Sequence, residues 1–290
     1  AHLALGVGVD DGDHSVPVHP PSPSPRPRSH YGSPWPPSPR GARAILIFGL
    51  SAVARLAHCP ILTLKGPFAR GHARPMTGEI LTGANDALLV VDVQYDFCPG
   101  GALAVADGVE VVAVINALAS RFDHVVMTQD WHPKGHTSFA SAHPGHSPFE
   151  TIEMPYGDQT LWPDHCVQGT RGAEFHAGLG LPNCKMIVRK GFRAEIDSYS
   201  AFRENDRQTA TGLAGYLRER GLARVFLAGL ATDFCVHFSA VDARAEGFGA
   251  CVIDDACRAI DLDGSLAVAR ENMRAAGVGF VGAADLGAAA

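Results

Sequence analysis

The chain has 290 residues, 46% of them hydrophobic and 19% charged, with a formal net charge of −6. That is a globular balance with room for one large domain or two small ones, and it excludes a general attraction to nucleic acid or to an anionic membrane. The seven cysteines are scattered and form no CxxC pair, which excludes the disulfide framework of a short secreted chain and points to a reducing, cytoplasmic setting.

Residues 1–75 are a different kind of chain from the rest. They hold thirteen of the twenty prolines, and eight Lys/Arg against three Asp/Glu. Val16 to Arg40 is rich in Pro, Ser and Arg and cannot build a core. Ala44 to Ala54 is apolar, but Arg55, His58 and Pro60 interrupt it well short of the ~20 residues a membrane span needs. The composition resembles a transit peptide. The favoured reading is that Met76 is the true first residue and that 1–75 is an over-extended gene model. A polyproline II ligand segment is a third option. In each case residues 1–75 are expected to be poorly ordered and dispensable for chemistry, with 76–290 as the working domain.

From Ala87 the pattern alternates short apolar runs with amphipathic stretches. Ala87–Val93 reads as a first strand. Gly108–Phe122 reads as a helix, with Val111, Val112, Ile115, Leu118 and Ala119 on one stripe. His124–Thr128 is the second strand. Residues 131–180 are rich in His, Pro and Gly and lack sustained periodicity, and so long a segment inside a compact domain is usually functional. Lys185–Arg189 is the third strand and Arg207–Glu219 a helix. Val225–Leu230 is the fourth strand, and Thr232 and Asp233 read as N-cap residues of a helix with Cys235 in its first turn. Ala250–Asp254 is the fifth strand, Ser265–Ala276 a helix and Val278–Val281 the sixth strand. Strands alternating with helices predict an α/β three-layer sandwich around a mainly parallel six-stranded sheet, Rossmann-like in type.

In such sheets the site lies outside the carboxyl ends of the strands. Strand one ends at Asp92. Strand two is followed by Asp130, His132 and His136, strand three by Lys190, and strand four by Thr232, Asp233 and Cys235. Polar, chemically capable residues thus stand at the same end of four strands. A partly buried Asp92 has a raised pKa, which suits a general base and acid near neutral pH. Lys190 can hold that carboxylate and steady developing negative charge. A cysteine at a helix start is set up as a thiolate nucleophile with N–H groups beside it, although alone it is more often a small core hydrophobe. Asp130 and His132 are two residues apart and point the same way in extended chain. With His165 they make one carboxylate and two imidazoles, a set suited to one divalent Zn, Fe or Mn ion.

These residues stand in VDVQYDFCPGGAL (from Val91), TQDWHPKGHTSFA (from Thr128), WPDHCVQGT (from Trp162), RKGFRAEIDSYSAF (from Arg189) and GLATDFCV (from Gly229). Together they resemble the isochorismatase-like cysteine hydrolases, and within them the nicotinamidases, from about Ala87 to Val281. The resemblance implies a triad of Cys235, Asp92 and Lys190, metal ligation by Asp130, His132 and His165, and a cis peptide between Leu230 and Ala231 that aims oxyanion-hole amides of Ala231 and Cys235. It implies that Phe97 and Trp162 flank an aromatic substrate ring and that Tyr199 helps line the pocket. The implied reaction is hydrolysis of nicotinamide to nicotinate and ammonia, and of pyrazinamide as an analogue, in NAD salvage. The implied partner is this small molecule, with neither nucleic acid nor membrane, and a homo-oligomer is left open. His136 is open as a fourth ligand, and His143, His146 and Glu150 are unranked further candidates. The alternatives are an isochorismatase or N-carbamoyl amide hydrolase, a non-catalytic carrier of the same fold, and a metal or redox sensor. The DxH…H set argues against the first, and the joint presence of Asp92, Lys190 and Cys235 against the second. The sensor would keep its function in Cys235→Ala and lose it in His165→Ala.

Overall fold

The computed structural model describes residues 80–288; the expectations for residues 1–75 lie outside them. Every described residue belongs to one compact unit. In chain order its elements are β1 (Ile80–Thr82), β2 (Asp86–Val91), α1 (Val111–Ala119), β3 (His124–Asp130), β4 (Thr151–Met154), β5 (Gly157–Thr160), β6 (Cys184–Lys190), α2 (Leu213–Glu219), β7 (Arg224–Leu230), α3 (His237–Ala245), β8 (Gly249–Arg258), α4 (Ser265–Ala275), β9 (Gly279–Val281) and β10 (Leu286–Ala288).

Six strands form one sheet in the order β6-β3-β2-β7-β8-β9, and every neighbouring pair is parallel. Successive residues of β2 serve opposite faces, as the two-residue period of a strand requires. Leu88 and Val90 join Phe226 and Ala228 under α1, which contributes Val111, Ile115 and Leu118. Ala87, Leu89 and Val91 join Val225 and Leu227 on the other face, under Leu213 and Leu217 of α2, Ala240 and Ala243 of α3, and Met273 of α4. With both faces covered, all six residues of β2 are buried, and so β2 reads in sequence as an unbroken apolar run after its first residue.

This topology places the site. From β2 the chain passes through α1 to β3 on one side. After β6 it crosses through α2, on the opposite face, to β7 on the other side of β2. The winding reverses between β2 and β7, and the crevice beyond their carboxyl ends is the natural binding position in such sheets. Gly229 has φ +123, and a Cβ there would run into the backbone of Val91. Only glycine lets β7 and β2 close this tightly where they enter the crevice.

The structure adds and moves some elements. β1 pairs with β10 as a separate two-stranded ribbon. β4 and β5 form an antiparallel hairpin inside the 131–180 segment; half of its strand residues are exposed, and its only apolar ones, Ile152 and Met154, alternate too briefly to announce a strand. The helix expected over Arg207–Glu219 begins at Leu213. Arg207 and Gly212 take left-handed backbone, and Asp206 accepts the N–H groups of Gln208 and Thr209 instead of continuing a helix. Among the described residues no helix is long and apolar enough to cross a membrane.

Candidate active site

Four adjacent strands deliver their ends to one crevice. β6 ends at Lys190, β3 at Asp130 and β2 one residue before Asp92, while β7 runs into the Leu230–Ala231 peptide, which is cis. The chain then makes a wide π turn over Thr232–Val236 that carries Cys235, and α3 starts only at His237. Cys235 therefore sits in a first helical turn that is π rather than α and runs directly into α3. Thr232 and Asp233 do not cap the helix. The Asp233 carboxylate accepts the backbone N–H groups of Ile260 (3.1 Å) and Asp261 (2.7 Å), which ties the turn to the loop after β8.

Lys190, Asp92 and Cys235 meet out of solvent. Lys190 Nζ lies 2.8 Å from Asp92 Oδ2 and 3.3 Å from Cys235 Sγ. It also donates to the Ser198 carbonyl at 3.2 Å and pairs with Asp130 Oδ1. Burial pushes the Asp92 carboxyl up, opposed by the Lys190 ammonium and reinforced by Asp130. Burial also pushes the Cys235 thiol well up, with Lys190 pulling against it. The expected lowering of the thiol by a helix start is thus outweighed by desolvation. For Lys190 burial acts downward, but Asp130, Asp92 and Cys235 overcome it and hold the ammonium well above its ordinary value. The resting set is a thiol, a fixed ammonium and a carboxylate of increased basicity.

Asp130 uses its two oxygens differently. Oδ1 pairs with Lys190, while Oδ2 lies 3.4 Å from His132 Nε2 and 3.6 Å from His165 Nε2. Each imidazole commits its other nitrogen to a carbonyl, His132 Nδ1 to Gly191 O (2.9 Å) and His165 Nδ1 to Pro163 O (2.8 Å). A carbonyl can only accept, so each ring carries a proton on Nδ1, which leaves Nε2 as the nitrogen that would offer its lone pair to a metal beside Asp130. One carboxylate oxygen and two imidazole nitrogens, all buried and mutually within ligating range, fit a divalent metal. Burial would raise the Asp130 carboxyl, but Lys190 and His132 hold it well below the usual carboxylate range, which keeps it an anionic donor.

The other candidate ligands are engaged elsewhere. His136 spends Nδ1 on Ser138 Oγ (2.7 Å) and Nε2 on the carbonyls of Arg193 (2.8 Å) and Ile196 (3.3 Å). His143 Nε2 meets the Thr137 carbonyl at 2.7 Å, and His146 pairs with Glu150 at 2.9 Å on the surface.

Cys235 and Ala231 open onto a cavity that Phe97, Trp162 and Tyr199 also line, with Asp130 and His165 on its wall. Trp162 Nε1 donates to the Tyr199 hydroxyl at 3.1 Å, and the Phe234 ring stands edge-on to Trp162 at 4.8 Å. Aromatic walls with a few convergent polar groups suit a small flat molecule.

Residues 86–285 match the isochorismatase domain model, which is most of the chain. The chain belongs to the isochorismatase family. It is 58% identical over 194 residues to the nicotinamidase of Acinetobacter baylyi, covering 67% of this chain and 91% of that one. It is also similar to the crystal structure of PnC1 from L. infantum in complex with nicotinate, with TM-score 0.65 and 39% identity over 73% of this chain and all of that one. A third likeness is to the pyrazinamidase of Pyrococcus horikoshii solved in complex with zinc, with TM-score 0.57 and 35% identity over 68% of this chain and 99% of that one.

Within this isochorismatase site, some cavity residues escape the sequence. Leu103, Asp197, Phe234 and Ile260 also line it. Phe234 is the neighbour of Cys235 in GLATDFCV and could have been singled out by adjacency. Ile260 could not, because the fifth strand is expected to stop at Asp254 while β8 runs on to Arg258 and carries the following loop into the crevice.

Proposed function

We propose that this chain hydrolyses nicotinamide to nicotinate and ammonia through a cysteine thioester, in NAD salvage, and accepts pyrazinamide as an analogue. The observation that carries this reading is the meeting of Cys235, Asp92 and Lys190 with Asp130, His132 and His165 around one aromatic-walled cavity. The likeness to relatives called nicotinamidase, and to a structure holding nicotinate, supports the substrate.

Asp92 takes the Cys235 thiol proton as Sγ attacks the carboxamide carbon. The raised basicity of Asp92 suits that transfer. The carbonyl oxygen becomes an oxyanion, which the backbone N–H groups of Ala231 and Cys235 hold. Lys190 stays charged beside both Asp92 and Sγ and steadies the negative charge that passes between them. Asp92 returns the proton to the departing nitrogen, the C–N bond breaks and ammonia leaves a thioester behind. Asp92 then removes a proton from water as its oxygen attacks the thioester carbon. Breaking the C–S bond releases nicotinic acid, which ionises to nicotinate as ammonia takes up the proton in solution, and the proton on Asp92 restores the thiol. Phe97, Trp162 and Tyr199 hold the ring. Asp130, His132 and His165 would hold one divalent ion, Zn, Fe or Mn, which supplies a Lewis acid at the cavity wall when bound.

The six described free cysteines support a reducing, cytoplasmic setting. The reading needs no nucleic acid or membrane and is compatible with a homo-oligomer. Ammonia release from nicotinamide by the full chain tests it, with Cys235→Ala as the control. Release is expected to vanish in Cys235→Ala while the fold and bound metal persist. Turnover near wild type in that variant would end the mechanism.

A further inference from the structure

One side chain gripping the general base has no part in the steps above. Thr128 lies in β3, two residues before Asp130, and is fully buried. Its hydroxyl accepts the Asp92 backbone N–H at 3.1 Å and donates to Asp92 Oδ1 at 2.6 Å. A hydroxyl has a single proton, and here it is committed to Oδ1. Asp92 Oδ2 is buried and faces the Lys190 ammonium at 2.8 Å. The two oxygens of one carboxylate are thus unlike: one takes a neutral hydroxyl donor, and the other pairs with the ammonium.

The difference matters because the terminal carboxylate torsion is broad and nearly two-fold. Left free, Asp92 would exchange its oxygens, and a proton collected on one could be turned away from the cavity. Lys190 cannot prevent this alone, since its ammonium also serves Asp130 Oδ1 and the Ser198 carbonyl. The Thr128 hydroxyl fixes both the backbone and one oxygen of the same residue, which pins the torsion at two points.

We propose that Thr128 is a positioning residue that sorts the oxygens of Asp92, occupying Oδ1 so that Oδ2 carries the proton between Cys235 and the leaving nitrogen. This rests on the cysteine-hydrolase reading. Its consequence is that Thr128 affects rate and leaves substrate binding alone, because it touches the base and does not line the cavity.

The test compares Thr128→Val, which keeps the shape and removes the hydroxyl, with Thr128→Ser, which keeps the hydroxyl. Two readouts are taken, nicotinamide turnover and the rate at which iodoacetate alkylates Cys235 with no nicotinamide present. A misplaced proton carrier is expected to lower kcat of Thr128→Val by about tenfold to a hundredfold with KM within about twofold. Alkylation should slow in parallel, and Thr128→Ser should restore both to within about threefold of wild type. A folded Thr128→Val with unchanged kcat overturns the proposal. So does a folded Thr128→Ser that loses as much as Thr128→Val, since a packing role would not be rescued by the hydroxyl. If Thr128→Val does not fold, Thr128→Ala takes its place under the same criteria. Should wild type release no ammonia, the functional reading fails, and the alkylation ratio still decides the role of Thr128.

Discussion

Asp130 joins two pieces of chemistry in one side chain, with Oδ1 on the ammonium of the triad and Oδ2 among the imidazoles. Around it the neighbours are fitted closely. A Cβ at Gly191 would fall within the His132 ring, and Gly191 has φ +64 besides. Gly191→Ala is therefore expected to displace His132 and lower the metal content per chain severalfold, read by elemental analysis of the purified protein. A metal content equal to wild type would show that the His132 position is not critical. Asp92 gives a pH prediction. Its carboxyl is raised, and turnover needs it ionised in the free enzyme. The acid limb of kcat/KM should therefore fall off at a pH above the ordinary aspartate value, because a raised pKa protonates the base earlier as pH drops. A limb at or below the ordinary value would remove Asp92 from the role of base. These residues were legible in sequence as residue types at strand ends. The pKa of Cys235 was not, because it follows from burial beside Lys190, Asp92 and Asp130, which are distant from it in the chain.

At the scale of elements, apolar runs and helical stripes located five of the six main strands within a few residues, because both sheet faces are covered, β2 and β7 are apolar after their first residue, and β3 carries the apolar run Val125–Met127. β8 was placed but cut short, since Asp254 and Asp255 interrupt its apolar pattern before it ends at Arg258. The β4–β5 hairpin was invisible because Ile152 and Met154 are its only apolar strand residues. Yet it carries Gln159, buried and bonded to Asp197 (2.8 Å) and the Tyr199 hydroxyl (3.1 Å) behind the cavity wall. Between elements, Glu246 at the end of α3 receives Arg218 of α2 at 2.7 Å and also Arg203. The hydrogen bonds from Arg218 and Arg203 hold its carboxyl below the usual value. A lowered folded pKa contributes stability that is present above the unfolded pKa and lost as pH falls through the folded one. Glu246→Gln should cost about 0.5–1 kcal/mol at pH 7, and the gap should close in acid below the folded pKa. Urea denaturation of both proteins at the two pH values checks this, and a gap independent of pH would show that charge is not its source.

For the whole molecule, the alternation of strands and helices from Ala87 onward was enough for the α/β class, and the five motifs for the family. The order of strands was not readable, because nothing local in the chain says on which side of β2 a later strand will dock. Every named residue of the candidate site lies after residue 75, so removal of residues 1–75 is expected to leave kcat/KM within about twofold of the full chain. Ammonia release by a chain starting at Met76 measures this, and an insoluble or inactive product would assign the segment to the fold. The carboxylate of Asp233 has a last consequence. It grips the backbone at Ile260 and Asp261 and sits two residues before the nucleophile, with Phe234 between them in the cavity wall. The two walls of the cavity and the sulfur are therefore linked as one lever. A ring substituent that forces Ile260 outward pulls on the turn that aims Cys235. Amides with bulky ring substituents are then expected to lose rate as well as affinity, read as a fall in kcat beside a rise in KM.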